Sequence, residues 1–263
     1  MDTVLRWMVR HQKAVRLMLA VLYGAGLGAL RICWDLPLGL MIALVVLGSA
    51  TLILASTYPM ICLQKRALKI MTDECDPRPF LAEMQTMVSY GLSQPLDTVM
   101  RMDLATALHN SGSAQAALDV MAHISVEGNR KLNPIYKALY YNNLAFFRME
   151  AGDFEDAEEA YRRFRELAVG GVLKALTKSS DETVAMTEAE HLYRLGDYAA
   201  ALESARQIRH KTASGKVDGA LFRARCAMAL GDQTMARTEL NYVIEHGNYL
   251  AAVDKARDLL KNL

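Results

Sequence analysis

Three observations predict an all-α chain, with a two-helix transmembrane hairpin at its N-terminus and a run of stacked helix pairs behind it. Residues 36–63 carry no charged side chain, and a shorter apolar run lies just before them. Beyond Pro79 apolar residues recur every three or four positions, with turn residues between segments and no alternating stretch of strand length. With 52% hydrophobic residues among 263, the chain is far too apolar to be disordered.

The 28 uncharged residues from Leu36 to Leu63, at a rise of about 1.5 Å each, exceed the roughly 30 Å of a bilayer's hydrocarbon core. The earlier run, Leu17 to Leu30, is only 14 residues long. Arg16 and Arg31 at its ends can keep their stems in lipid while their charges reach the headgroups, which extends it to a short span. The expected spans are residues 15–34 and 37–58, with Pro37 suited to the first turn of the second. A connection as short as Arg31 to Asp35 forces the two to run antiparallel. Arg6, Arg10, Lys13 and Arg16 precede the first span and Lys65, Arg66 and Lys69 follow the second, against Arg31 alone between them. By the positive-inside rule both flanks, and so both termini, are expected on the cytoplasmic side of the cell membrane. Gly24 and Gly28, four residues apart, are expected to let the first span approach the second closely. Two other readings compete. A secretory signal would be followed by a soluble chain rather than by a longer span, and an interfacial first helix would leave only the second segment spanning.

Several functions are excluded by what is missing. Five of the 30 basic and two of the 29 acidic side chains fall in residues 1–63, which leaves the remainder nearly neutral. A nucleic-acid partner, which needs a clustered cationic excess, is not expected. Cys33, Cys62, Cys75 and Cys226 show no paired spacing, so neither a disulfide framework nor a zinc site is expected, and no cofactor is implied. His109, His123, His191, His210 and His246 are scattered without HExxH spacing, and no GxSxG or phosphate loop is present. Nothing commits the chain to catalysis. Glu155, Asp156, Glu158 and Glu159 followed by Arg162, Arg163 and Arg165 read as a solvated helix face whose acid-then-base order suits the helix dipole.

Internal similarity is the most informative feature of residues 95–263. Gly112 with Ala117, Gly152-Asp153-Phe154 with Ala157, Gly196-Asp197-Tyr198 with Ala201, and Gly231-Asp232 with Ala236 all align, at glycine intervals of 40, 44 and 35 residues. Glycine at each turn is expected to supply the positive φ of a helix C-terminus, and the following Asp to accept from the free amides opening the next helix. Ala145, Ala189 and Ala224 are expected where the two helices of a pair cross.

These units resemble the tetratricopeptide repeat family over roughly Asp97 to His246. The second carries the resemblance best, with Tyr141, Leu144 and Ala145 before its turn and Ala157 and Tyr161 after it. The family repeat is shorter than two of the intervals, so loop insertions are expected around Ser125–Asn133 and Val169–Ser180. The organisation implied is a hairpin over 1–63, a juxtamembrane segment with a capping helix (Pro79 to Tyr90) over 64–94, and about four helix pairs over 95–263. A second capping helix is expected at Tyr249 to Leu260.

The resemblance further implies a concave groove, lined by the first helix of each pair, that takes a protein or peptide partner. In repeat register its candidates are Met102 and His109 in the first unit and Asn142, Phe146 and Met149 in the second. The third unit offers Glu190, Tyr193 and Arg194, and the fourth Arg225 and Met228. Methionines suit a surface that repacks around its ligand. Asn142 or Asn143 with Arg194 or Arg225 supplies only part of the carboxylate clamp that some family members use. The expected role is a membrane-tethered adaptor. Its alternative is an assembly subunit of a membrane complex, contacted mainly through the hairpin.

Overall fold

Helix follows helix along the chain. The computed structural model describes the backbone of residues 2–34 and 37–263, and their side chains apart from those of 2, 34 and 177–181. Among the described residues there are thirteen helices and no strand. The chain divides into two compact units, Met1–Arg66 and Ala67–Leu263.

The first unit holds α1 (Asp2–Arg10), α2 (Gln12–Trp34) and most of α3 (Leu38–Glu74). Both α2 and α3 are long and apolar enough to cross a membrane, and only 11% and 6% of their most apolar windows are buried. Leu17, Val21 and Leu22 on α2 and Val46, Leu47 and Leu54 on α3 are exposed, a band of large apolar side chains that calls for a non-aqueous surrounding. α3 does not stop near residue 58: it runs through Pro59 and past Lys65 and Arg66 to Glu74. Of the expected connection, Asp35 and Leu36 lie outside the described residues.

The contact between α2 and α3 differs from expectation. Gly24, Gly26 and Gly28 meet nothing that an added Cβ would touch. Close approach comes instead from Tyr23, whose ring occupies the space of a Cβ on Gly48, while its hydroxyl donates to the Leu44 carbonyl. At about 100° of rotation per residue, Gly24 is turned well away from the face that Tyr23 presents. Nearer the N-terminus, Gln12 Nε2 donates to the Ser56 carbonyl at 3.2 Å and Arg16 Nε to Ser56 Oγ at 2.8 Å. Residues 12 and 16 against 56, and 23 against 44 and 48, make the pair antiparallel.

The second unit continues with α4 (Arg78–Ser89), α5 (Leu96–Asn110), α6 (Ala114–Ala122), α7 (Pro134–Ala151) and α8 (Phe154–Leu167). Then come α9 (Gly170–Arg194), α10 (Tyr198–Gln207), α11 (Ala213–Ala229), α12 (Gln233–His246) and α13 (Ala251–Lys261). Successive helices pack as pairs, α5 on α6, α7 on α8, α9 on α10 and α11 on α12. Gly112, Gly152, Gly196 and Gly231 at the four turns have φ of +86°, +81°, +82° and +78°, the left-handed conformation expected of them. Asp197 and Asp232 accept from Ala200 N–H at 3.1 Å and Met235 N–H at 2.9 Å, also as expected. Asp153 does not cap α8; it lies 3.8 Å from Arg148. Ala145, Ala189 and Ala224 are fully buried, as are Ala201 and Ala236.

Of the two expected insertions, the first is a loop between α6 and α7. The second is helix: α9 starts at Gly170 and runs for 25 residues. Leu173, Lys174, Ala175 and Leu176 are strong helix formers with no proline among them, and Leu176 is buried against Phe164 and Val184, so the extra residues extend the helix.

The first helices of the pairs line a concave space, with Thr106 of α5, Phe146 of α7, Met186 of α9 and Asp218 of α11 around a cavity of about 460 Å³. α5 touches α7, α7 touches α9, α9 touches α11, and α13 touches both α11 and α5, so that these five close a ring with α6, α8, α10 and α12 outside it. At the closing seam a Cβ on Gly112 would lie 3.2 Å from that of Ala251. Tyr249 N–H donates to the Cys75 carbonyl at 3.1 Å, Asn248 Nδ2 to the Glu74 carbonyl at 2.8 Å, and the Arg78 guanidinium lies 3.4 Å above the Tyr249 ring. The helix expected to shield one end of a solenoid thus also joins its last pair to its first.

Candidate functional site: a charged cavity within the helix ring

Helical spacing aims one stripe of each ring helix inward. α7 contributes Phe146 and Glu150, α9 Met186 and Glu190, and α11 Asp218, Phe222 and Arg225, at intervals of three or four residues. With His109 from α5 and Lys255 from α13 they enclose a cavity of about 80 Å³.

Arg225 organises the charge. Its Nη1 donates to Glu150 Oε1 at 2.6 Å and Glu190 Oε2 at 3.0 Å, and its Nη2 to Glu190 Oε1 at 2.9 Å. Arg194 Nε donates to Glu190 Oε1 at 2.9 Å and Lys255 Nζ to Glu150 Oε2 at 2.8 Å. Glu190 is 0% exposed, so its charge depends on these two guanidinium groups. Burial works against ionising Glu150, yet Arg225 and Lys255 hold its carboxyl down at about 2. Burial likewise works against the Arg225 charge, and Glu150 and Glu190 more than restore it. The Arg225 guanidinium also lies 4.7 Å from the Tyr193 ring centre, and that of Arg194 4.9 Å from Phe154, both within cation–π range.

Beside this satisfied network stands an unsatisfied one. Asp218 lies deep in the unit with part of its surface on the cavity, and it has no hydrogen bond or ion pair among the described residues. Burial, reinforced by Glu150, pushes its carboxyl up to about 7. Burial lowers the His109 imidazole, whose ring stacks on Phe147 with centres 4.9 Å apart and whose Nε2 has no partner. Next to Asp218, His210 Nδ1 and Glu182 Oε1 are 2.7 Å apart. That pair lies against α11 where side chains are absent: a Cβ on Gly215 would collide with Glu182 Oε1, and one on Gly219 with His210 Nε2. Among the described residues no three carboxylate, imidazole or thiol groups are placed to share a metal ion.

The ten groove candidates fall into three sets, with Arg225 shared by the first two. His109, Phe146, Glu190 and Arg225 line the cavity. Tyr193, Arg194, Arg225 and Met228 border a wider mouth of about 680 Å³, together with Lys255 and Leu259. Met102, Asn142 and Met149 are buried, the two methionines in the hydrophobic cluster of α5 to α8, where they fill space rather than face a partner. Of the partial carboxylate clamp, Asn142 is buried, Asn143 borders a cavity that neither arginine lines, and Arg194 and Arg225 are engaged by Glu190.

Glu150, Asp218 and Lys255 were not among the candidates. The first two carry a legible signal: Glu150 lies four residues after Phe146, and Asp218 seven before Arg225, on the same helix faces. Lys255 carries none, because ring closure by α13 follows from no repeat register. No family model, curated protein or solved structure matches the chain.

Proposed function

We propose that this protein is a membrane-tethered scaffold of tetratricopeptide-like helix pairs that binds a protein or peptide partner at the cytoplasmic membrane face. The mouth of the ring carries this reading. Tyr193, Met228 and Leu259 offer apolar and repackable contact surface there, beside the ion-paired Arg194 and Lys255. The glycine turns with buried alanines on either side support the family, and the exposed apolar faces of α2 and α3 support the tether. Basic residues on both flanks of the hairpin support the orientation. Confinement to the membrane raises local concentration, so modest affinity at the mouth suffices. No catalytic role is proposed.

A second reading, an assembly subunit gripped through its hairpin, is favoured by one observation: Gly24, Gly26 and Gly28 on α2 face open space and could admit another helix closely. Photo-crosslinking residues placed singly at Met228, Gly24 and Glu155 of the full chain in cells separate the two. The scaffold reading expects a discrete adduct from Met228, lost on Tyr193→Ala, and none from the Glu155 control. An adduct from Gly24 alone overturns it in favour of the subunit.

A further inference from the structure

We propose that the cavity inside the helix ring is a binding site for a small organic ammonium ion, held by the Asp218 carboxylate against the rings of Phe146 and Phe222. The sign of the ligand follows from which groups are already engaged. The cations on the cavity wall, Arg225 and Lys255, lie against the carboxylates of Glu150 and Glu190, at 2.6–3.0 Å, so their charge is already balanced. The group left over is an acid. Asp218 receives no hydrogen bond among the described residues, and its neighbours deepen the need for positive charge: Glu150 from α7 and Glu182 from α9 disfavour its ionised form, against Lys255 and His210. Burial lowers the His109 imidazole from α5, and it raises the thiol of Cys75, on the link before α4 beside Asp218. A buried acid with no partner is costly unless something neutralises it.

The walls choose among cations. No three ligating groups converge for a metal among the described residues, whereas Phe146 and Phe222 present aromatic rings that favour an alkylammonium ion. Between Asp218 and the two rings the cavity holds about 80 Å³, enough for an ammonium group with one or two carbons, and a larger cavity of about 460 Å³ adjoins it at Asp218 and Phe146. Water filling the same space could solvate Asp218 but could not neutralise it.

The full-length protein in nanodiscs, titrated calorimetrically with methylammonium chloride, tests this. Sodium chloride and tetramethylammonium chloride at equal ionic strength serve as controls. Saturable binding of methylammonium alone is expected, weakened at least about tenfold by Asp218→Asn and unchanged by Asp119→Asn on the surface of α6. At pH 6, buffers of different ionisation heat should reveal about one proton released per ion bound, because Asp218 must ionise to receive it. Ala252→Leu, which narrows the cavity without touching a charge, should also abolish binding while helix content is retained. Absence of saturable binding, equal binding of sodium, or full affinity in Asp218→Asn overturns the proposal and leaves a cavity that holds water only.

Discussion

Arg225 shows how a side chain can be located correctly from sequence and still be given the wrong work. Helical register puts it on the inner face, but its partner Glu150 is 75 residues away in the chain, and no local pattern announces that pairing. Charges assigned to a ligand are largely spent on one another. Arg225→Met should leave Glu190 buried with only Arg194 beside it, costing about 3 kcal/mol in denaturant unfolding, most of it recovered in the double variant with Glu190→Gln. Asp218 should behave in the opposite sense. Its carboxyl titrates near 7 in the folded chain and in the ordinary carboxylate range when unfolded, so the native state binds the extra proton between about pH 4 and 7 and stability falls as pH rises through that window. Asp218→Asn should therefore match the parent near pH 4 and exceed it by on the order of 2 kcal/mol at pH 8, read from urea midpoints. Met102, Met149 and Asn142 were legible as inward-facing residues only; whether an inner face meets core or cavity depends on the neighbouring helix.

Turns were the most legible elements, because glycine's tolerance of positive φ and the acceptor of Asp are local chemistry. Gly231→Ala tests the first without a packing term, since no atom lies within 4 Å of its added Cβ; a loss of about 1 kcal/mol is expected in thermal melts. Asp232→Ala removes the cap on Met235 N–H and should cost about as much. The N-terminal part of α9 was misread as a loop because the repeat interval, not the residues, suggested an insertion; Leu173 to Leu176 carry the helical propensity themselves. Gly24 and Gly28 misled for the converse reason. Their spacing permits close packing but does not say against what, and Tyr23 on Gly48 makes the contact instead.

For the molecule as a whole, the all-helical class and the two candidate spans follow from periodicity and length, which are properties of the sequence alone. Ring closure is not of that kind: the rotation from pair to pair depends on how side chains interdigitate, and a sum of small angles decides whether the last helix meets the first. Truncation after His246 removes α13, and with it Lys255 from Glu150 and Ala251 from Gly112. The shortened protein should retain most of its helical circular dichroism while its hydrogen exchange in α5 rises markedly, since that helix loses a neighbour. Unchanged protection of α5 would show the seam to be energetically idle. The position of α13 also bears on synthesis. The piece that locks the circle leaves the ribosome after the other ring helices and the apolar hairpin, so every nascent copy passes through an unlocked arc in which Glu150 lacks its lysine. A chaperone or partner that inserts a helix during that interval would become part of the ring rather than a visitor to it.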